Sequence, residues 1–194
     1  MLQAFQSFFV FAYFLGFAFF VFLILRFRAR RPDVEQRTGR LPAPPALISW
    51  LVPPLILLVR IGDISSIWLP VRVVGIGFGL YALVLLPWAA AALGASYAPG
   101  PALLRGQALV TTGPYQWIRH PIYSAVVTLW LGAALGTLNW LLLLLWPGML
   151  VGVRKQAQTE EKLLRGHFGD RYDEYAATTG SLFPRPTRLG RGAI

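Results

Sequence analysis

The stretch MLQAFQSFFVFAYFLGFAFFVFLIL, residues 1–25, holds no charged side chain and is followed at once by Arg26, Arg28, Arg30 and Arg31. About 20 apolar residues suffice to cross a hydrocarbon core of about 30 Å, so this stretch predicts a membrane-crossing helix. A cleaved signal peptide carries its positive charges before the apolar run and a small-residue cleavage site after it, the reverse of this order. The fold class that follows is all-α: an integral membrane bundle of about five transmembrane helices in a single domain.

Composition agrees with that solvent. Of the 194 residues 56% are hydrophobic and 13% charged, against roughly a quarter charged in soluble domains. The absence of cysteine excludes disulfides, thiolate metal sites, cysteine nucleophiles and palmitoylation. The histidines, His120 and His167, form no His-x-x-His or His-Glu-x-x-His pair, and no metal is expected. The net charge of +10 sits in short basic clusters beside apolar runs, which suits membrane lipids with anionic headgroups rather than nucleic acid.

Outward from the first span, residues 32–45 carry Pro32, Pro42, Pro44 and Pro45 and predict an irregular cytoplasmic linker. A second span near 46–60 is interrupted by Pro53 and Pro54 and should be kinked. A third, 71–93, contains Gly75, Gly77 and Gly79. The third glycine falls one place early for a dinucleotide-binding loop and no strand precedes it, so Gly75-x-x-x-Gly79 instead predicts close helix packing. Homodimerisation through those glycines stays open, as does the oligomeric state.

Residues 122–153 are uncharged but divided by Gly136-Thr-Leu-Asn139, which predicts a tight helical hairpin. Its second helix should run on through Arg154 and Lys155 as an amphipathic helix that leaves the membrane. With the amino terminus outside, only Arg60 and Arg72 fall in outer loops and the other basic residues are cytoplasmic. The chain then divides into amino-terminal spans and linker (1–70), a core (71–184) and a basic tail (185–194).

Two polar segments, 94–121 and 154–194, share the cytoplasmic side of this multi-pass topology. The first reads LVTTGPYQWIRHPIY over residues 109–123, with Pro121 placed to open a helix and His120 to cap it. Such a helix start can hold an anionic ligand group, or the Tyr, Trp and Arg residues can serve as an interfacial belt. In the second segment, Glu160 lies on a stripe with Ala157, Leu164 and Phe168 and is predicted to be buried, paired with Arg119 or a bound cation. The alternative is a Glu160 that reaches solvent past Leu164. Glu161 aligns with Arg165 as a surface pair. Asp170 is expected to cap a short last helix, with Tyr172 and Tyr175 packing on one face, and the tail with Arg185, Arg188 and Arg191 to be disordered or to lie on anionic headgroups.

Taken in order, Gly113-Pro-Tyr115, Arg119-His120-Pro121-x-Tyr123, a hairpin, Glu160-Glu161 and Phe168-Gly169-x-x-Tyr172-x-x-Tyr175 resemble the isoprenylcysteine carboxyl methyltransferase family and its phospholipid methyltransferase relatives, over roughly residues 75–184. Ala125 departs from the glycine these proteins usually carry there, which would crowd the cofactor. The resemblance implies S-adenosylmethionine as cofactor and a prenylated or other lipidic small molecule as substrate. It also implies residue roles: Arg119 orients a substrate carboxylate, and His120 and the helix start at Pro121 hold the methionine end. Glu160 or Glu161 would hold the ammonium, and Val110, Tyr115 and Tyr123 the adenosine, with Gly113 in the same binding segment. Arg119 and Glu160 are the catalytic candidates.

A carboxylate is already ionised at pH 7 and needs no base, whereas an amine must first lose a proton. Carboxylate O-methylation is therefore the preferred reading, with lipid-amine N-methylation the alternative. Membrane sterol reductases, which bind NADPH, carry a similar Arg-His-Pro segment and are a rival class. A non-enzymatic membrane subunit is the third reading.

Overall fold

The computed structural model describes residues 2–30, 34–37, 44–62, 68–98 and 102–185. Among the described residues six helices carry the fold: α1 (Leu2–Arg30), α2 (Pro44–Val59), α3 (Leu69–Leu93), α4 (Pro121–Thr137), α5 (Trp140–Phe168) and α6 (Asp170–Thr178). Short 3₁₀ turns occupy Gly94–Ser96 and Gly113–Gln116. Among them, α1 and α3 are long and apolar enough to cross a bilayer, while Trp50–Val59 and Pro121–Thr137 are apolar but shorter. The described residues are thus mostly helical, with two candidate spans among them.

The linker expectation is corrected in part. Val34–Arg37 forms strand β1, which pairs antiparallel with β2 (Ala102–Leu104). The pairing satisfies backbone groups that the proline spacing alone left to solvent. The remainder of 31–43, and the tail beyond Arg185 with Arg188 and Arg191, lie outside the described residues.

The most extensive helix contact is between α3 and α4, and glycines explain it. A Cβ on Gly132 would lie 2.8 Å from the Gly75 carbonyl oxygen and 2.9 Å from the Gly79 nitrogen, and one on Gly75 would collide with the Gly136 backbone. Gly75 and Gly79 are therefore spent inside the molecule against Gly132 and Gly136, where small residues let two backbones approach. Around this seam the core gathers Phe9, Tyr13, Trp50, Leu129, Trp130 and Leu142.

Arg72 does not sit in an outer loop. It lies buried in the first turn of α3, donates from Nη1 to the Gly136 carbonyl (3.1 Å) and stands 5.6 Å over the Phe5 ring. A cation at the carbonyl end of α4 also suits the helix dipole. The hairpin forms as expected: Leu138 closes α4 in the left-handed conformation (φ 52°), and the Asn139 side chain caps α5 by accepting from Leu142 N at 3.0 Å. Asn139 Nδ2 also donates to the Ile61 carbonyl (2.8 Å), which ties this turn to the end of α2.

Candidate active site

Helix α5 continues through Arg154 and Lys155 to Phe168, carrying Glu160 and Glu161 against the start of α4. Pro121 is the first residue of α4, where its fixed φ and missing N–H cost nothing. His120 occupies the cap position, but its side chain makes no capping bond and turns to α5 instead. The backbone N–H groups of Arg119 and His120 are taken by the carbonyls of Gly180 (2.8 Å) and Ser181 (3.0 Å). The segment after α6 therefore closes this end of the helix.

The two glutamates exchange the environments expected of them. Glu161 is the buried one, and its Oε1 faces four donors: Arg119 Nε (3.1 Å), Arg119 Nη2 (3.0 Å), His120 Nε2 (3.2 Å) and Ser181 Oγ (3.1 Å). Arg165 pairs with Asp173 (2.9 Å) rather than with Glu161. The inward stripe of α5 is Val153, Ala157 and Glu161, four residues apart, so helical spacing from Ala157 carries Glu161 rather than Glu160 inward. Glu160 is partly buried: Oε1 accepts from the Tyr123 hydroxyl, and Oε2 lies 3.5 Å from His120 Nδ1. Arg119 spends two further donors, through Nη1, on the carbonyls of Ala176 (3.0 Å) and Thr179 (2.5 Å).

These contacts dictate the charge states. Burial would raise the Glu161 carboxyl, but the hydrogen bonds and charges of His120 and Arg119 outweigh it and hold it down at about 2. Burial likewise disfavours the His120 imidazolium, yet a carboxylate at each ring nitrogen raises its pKa above the ordinary 6.5. The His120 ring also stacks on Tyr123, with centroids 5.6 Å apart and planes 18° apart.

Beside this knot lies a cavity of about 170 Å³ whose wall includes Tyr97, Tyr115, Tyr123, His120, Glu160 and Gln156. Its apolar wall includes Phe20, Leu93, Leu163 and Leu164. Burial, aided by the Glu160 charge, pushes the Tyr97 hydroxyl up to about 12; burial also raises Tyr115, so both tyrosines are neutral near pH 7. The carboxylate on the cavity wall is Glu160. Of the sequence-predicted set, Tyr115, Arg119, His120, Pro121, Tyr123 and Glu160 line the cavity, whereas Val110, Gly113 and Glu161 do not. Gly113 makes a turn with φ +60° beside Trp88 and Ala92. Ala125 is buried in the helix core and is not a cavity-lining residue.

The last helix differs slightly from expectation. Its cap is Gly169 (φ 54°), and Asp170 stands in the first turn, where the dipole favours its charge. Tyr172 and Tyr175 do meet on one face, with ring centroids 6.0 Å apart, and Tyr175 also donates to the Tyr115 carbonyl at 2.7 Å. Sequence reasoning missed Gln156, Tyr97 and Ser181. Gln156 was legible, since it lies four residues before Glu160 on one helix face; nothing local marks Tyr97 or Ser181.

A family model for phospholipid methyltransferases matches residues 71–171, just over half of the chain. The matched stretch runs from α3 through the whole cavity-lining region of α4 and α5 into the start of α6. No curated protein matches the chain significantly. The ordered Arg-His-Pro and Glu-Glu segments, brought together around one cavity and covered by that match, make the conclusion plain: the chain belongs to the phospholipid methyltransferase family, a family of membrane methyltransferases.

Proposed function

We propose that this protein transfers a methyl group from S-adenosylmethionine to a lipidic acceptor at one face of the bilayer. The observation that carries the reading is the charge of the cavity wall. It presents the Glu160 carboxylate among three tyrosines, while the Arg119 guanidinium is engaged by Glu161 and by two backbone carbonyls. A carboxylate with aromatic faces suits a cation such as a sulfonium or ammonium. It disfavours the phosphates of NADPH, and with them the reductase reading. The carboxylate and aromatic faces thus fit an adenosyl sulfonium. The cavity volume of about 170 Å³ is below the roughly 300–1,000 Å³ of small-molecule sites, so a nucleoside-bearing ligand also uses the open mouth.

S-adenosylmethionine, when bound, supplies an electrophilic methyl group. In this reading Glu160, with His120 beside it, would attract the cofactor's sulfonium, and Tyr115 and Tyr123 would pack on its aromatic portion. Arg119 and Glu161 brace the wall.

A carboxylate acceptor of the prenylcysteine type needs no base. One observation favours the second reading, N-methylation of a lipid amine: Arg119 retains at most one N–H for a substrate carboxylate, whereas Glu160 attracts an ammonium. Membrane placement is supported by exposed tryptophans. Trp68 and Trp140 lie at one end, and Trp88 packs on Trp117 beside the site. The rise along α3 from Trp68 to Trp88 is about 30 Å, the thickness of a hydrocarbon core. A five-span topology with the amino terminus outside and the site on the cytoplasmic side accords with that belt and with the basic clusters.

Calorimetry with S-adenosylhomocysteine and, separately, NADPH on detergent-solubilised protein tests the cofactor. Binding of the former supports the reading, and binding of NADPH alone refutes it. Incubation with methyl-labelled cofactor and membrane lipids then separates the acceptors. A base-labile product that releases methanol identifies an ester, and base-stable label on a lipid amine identifies N-methylation.

A further inference from the structure

Two carboxylates stand side by side in this site, but one side chain outside the matched motifs determines how Glu160 is presented. The Tyr123 hydroxyl contacts both Glu160 Oε1 and Gln156 Nε2, the latter at 2.7 Å. A tyrosine hydroxyl carries a single proton, and an ionised carboxylate only accepts. The proton is therefore donated to Glu160, and the Tyr123 oxygen must be the acceptor toward Gln156. This also orients the Gln156 amide: with its oxygen turned to Tyr123, two acceptors would compete for one proton. The chain of donation runs Gln156 to Tyr123 to Glu160.

The helices build this chain directly. Gln156 and Glu160 are separated by one turn of α5 and Tyr123 projects from the first turn of α4, so the hydroxyl bridges two neighbours on the facing helix. With Oε1 capped by Tyr123 and Oε2 beside His120 Nδ1 (3.5 Å), the carboxylate has one orientation. Gln156, Tyr123, His120 and Glu160 all line the same cavity.

We infer that Gln156 is a positioning residue: by donating to the Tyr123 hydroxyl it locks that hydroxyl onto Glu160 and so aims the carboxylate at a cationic ligand in the cavity. The inference rests on the cofactor reading above. Gln156 acts through Tyr123 rather than on the ligand, so its effect must vanish when the hydroxyl is absent.

The test is a double-mutant cycle in ligand binding, with Gln156→Met, which keeps the unbranched shape and removes the donor, Tyr123→Phe, and the double variant. The probes are S-adenosylhomocysteine, whose sulfur is neutral, and sinefungin, which carries an amine near that position. Loss of one hydrogen bond in a charged network weakens binding about fivefold. Gln156→Met should lower sinefungin affinity by about that factor and S-adenosylhomocysteine affinity by less, so the preference for the cationic ligand falls. On the Tyr123→Phe background the same substitution should change nothing. Equal loss for both ligands, or an undiminished loss on the Tyr123→Phe background, overturns the inference and makes Gln156 a packing residue. If Gln156→Met does not fold, Gln156→Leu takes its place in the same cycle. Binding of neither probe by folded wild-type protein refutes the cofactor reading itself, a result distinct from either outcome of the cycle.

Discussion

Removing Glu161 should cost far more stability than removing its neighbour, and the structure sets the scale. In Glu161→Leu the Arg119 guanidinium, whose side chain is 9% exposed, loses its only carboxylate among the described residues, and His120 Nε2 and Ser181 Oγ lose an acceptor. Breaking a buried ion pair by deleting one partner costs about 3–5 kcal/mol, because the other charge stays buried and uncompensated. For a chain of this length that corresponds to a melting temperature lower by about 10 °C. Replacing both partners, as in Arg119→Met with Glu161→Leu, removes the stranded charge. What remains is the loss of donors to the Ala176 and Thr179 carbonyls and of the acceptor for His120 Nε2 and Ser181 Oγ, about 1 kcal/mol for each bond and less than the sum of the two single losses. Thermal unfolding in detergent, followed by tryptophan fluorescence, measures each variant. A Glu161→Leu shift below about 1 kcal/mol, or a double variant that loses the sum of the two single losses, would refute the claim that this pair is a buried brace.

Further expectations follow from the same contacts. Glu160→Gln removes a partly buried carboxylate that accepts from Tyr123, so it should weaken sinefungin binding about tenfold while shifting the melting temperature by only a few degrees. The pH dependence has a worked sign. Glu161, lowered from 4.5 to about 2, stabilises the fold above pH 4.5 and loses that effect as pH falls toward 2. His120, raised above 6.5, stabilises fully below 6.5 and loses that effect as pH rises through its folded value. Melting temperature should therefore be highest between 4.5 and 6.5 and fall above it, with a shallower fall in Glu161→Gln; an equal slope in both proteins counts against the His120–Glu161 contact. Gly75→Leu forces a side chain into the Gly136 backbone and should abolish folded protein in membranes, judged by size-exclusion chromatography. Asn139→Ala removes a helix cap and a tie to Ile61, and should cost about 2 kcal/mol in the same unfolding assay.

Much of this protein was legible in its sequence because lipid imposes strong, local rules. An uncharged run such as residues 1–25 reports its environment by composition, and Pro121 and Asn139 mark helix starts by their own backbone chemistry. The order of Arg119-His120-Pro121 and Glu160-Glu161 pointed to one site and to a family. Tertiary structure decided what spacing could not. Glu160 and Glu161 are adjacent on one helix; Glu161 lies on the buried stripe with Val153 and Ala157, and its donors come from Arg119 and His120 and from Ser181, which the docked segment at the Ile118–Gly180 bridge supplies. That docking also engaged the Arg119 donors, which no count of residues anticipates. The strand at Val34–Arg37 exists because Ala102–Leu104 lies beside it, and Gly75 and Gly79 are internal because Gly132 and Gly136 face them. Local sequence determined the elements, since helix formation and membrane compatibility are short-range. The partners of buried charges were decided in three dimensions, because a buried charge is satisfied by whichever distant group the fold brings within about 3 Å.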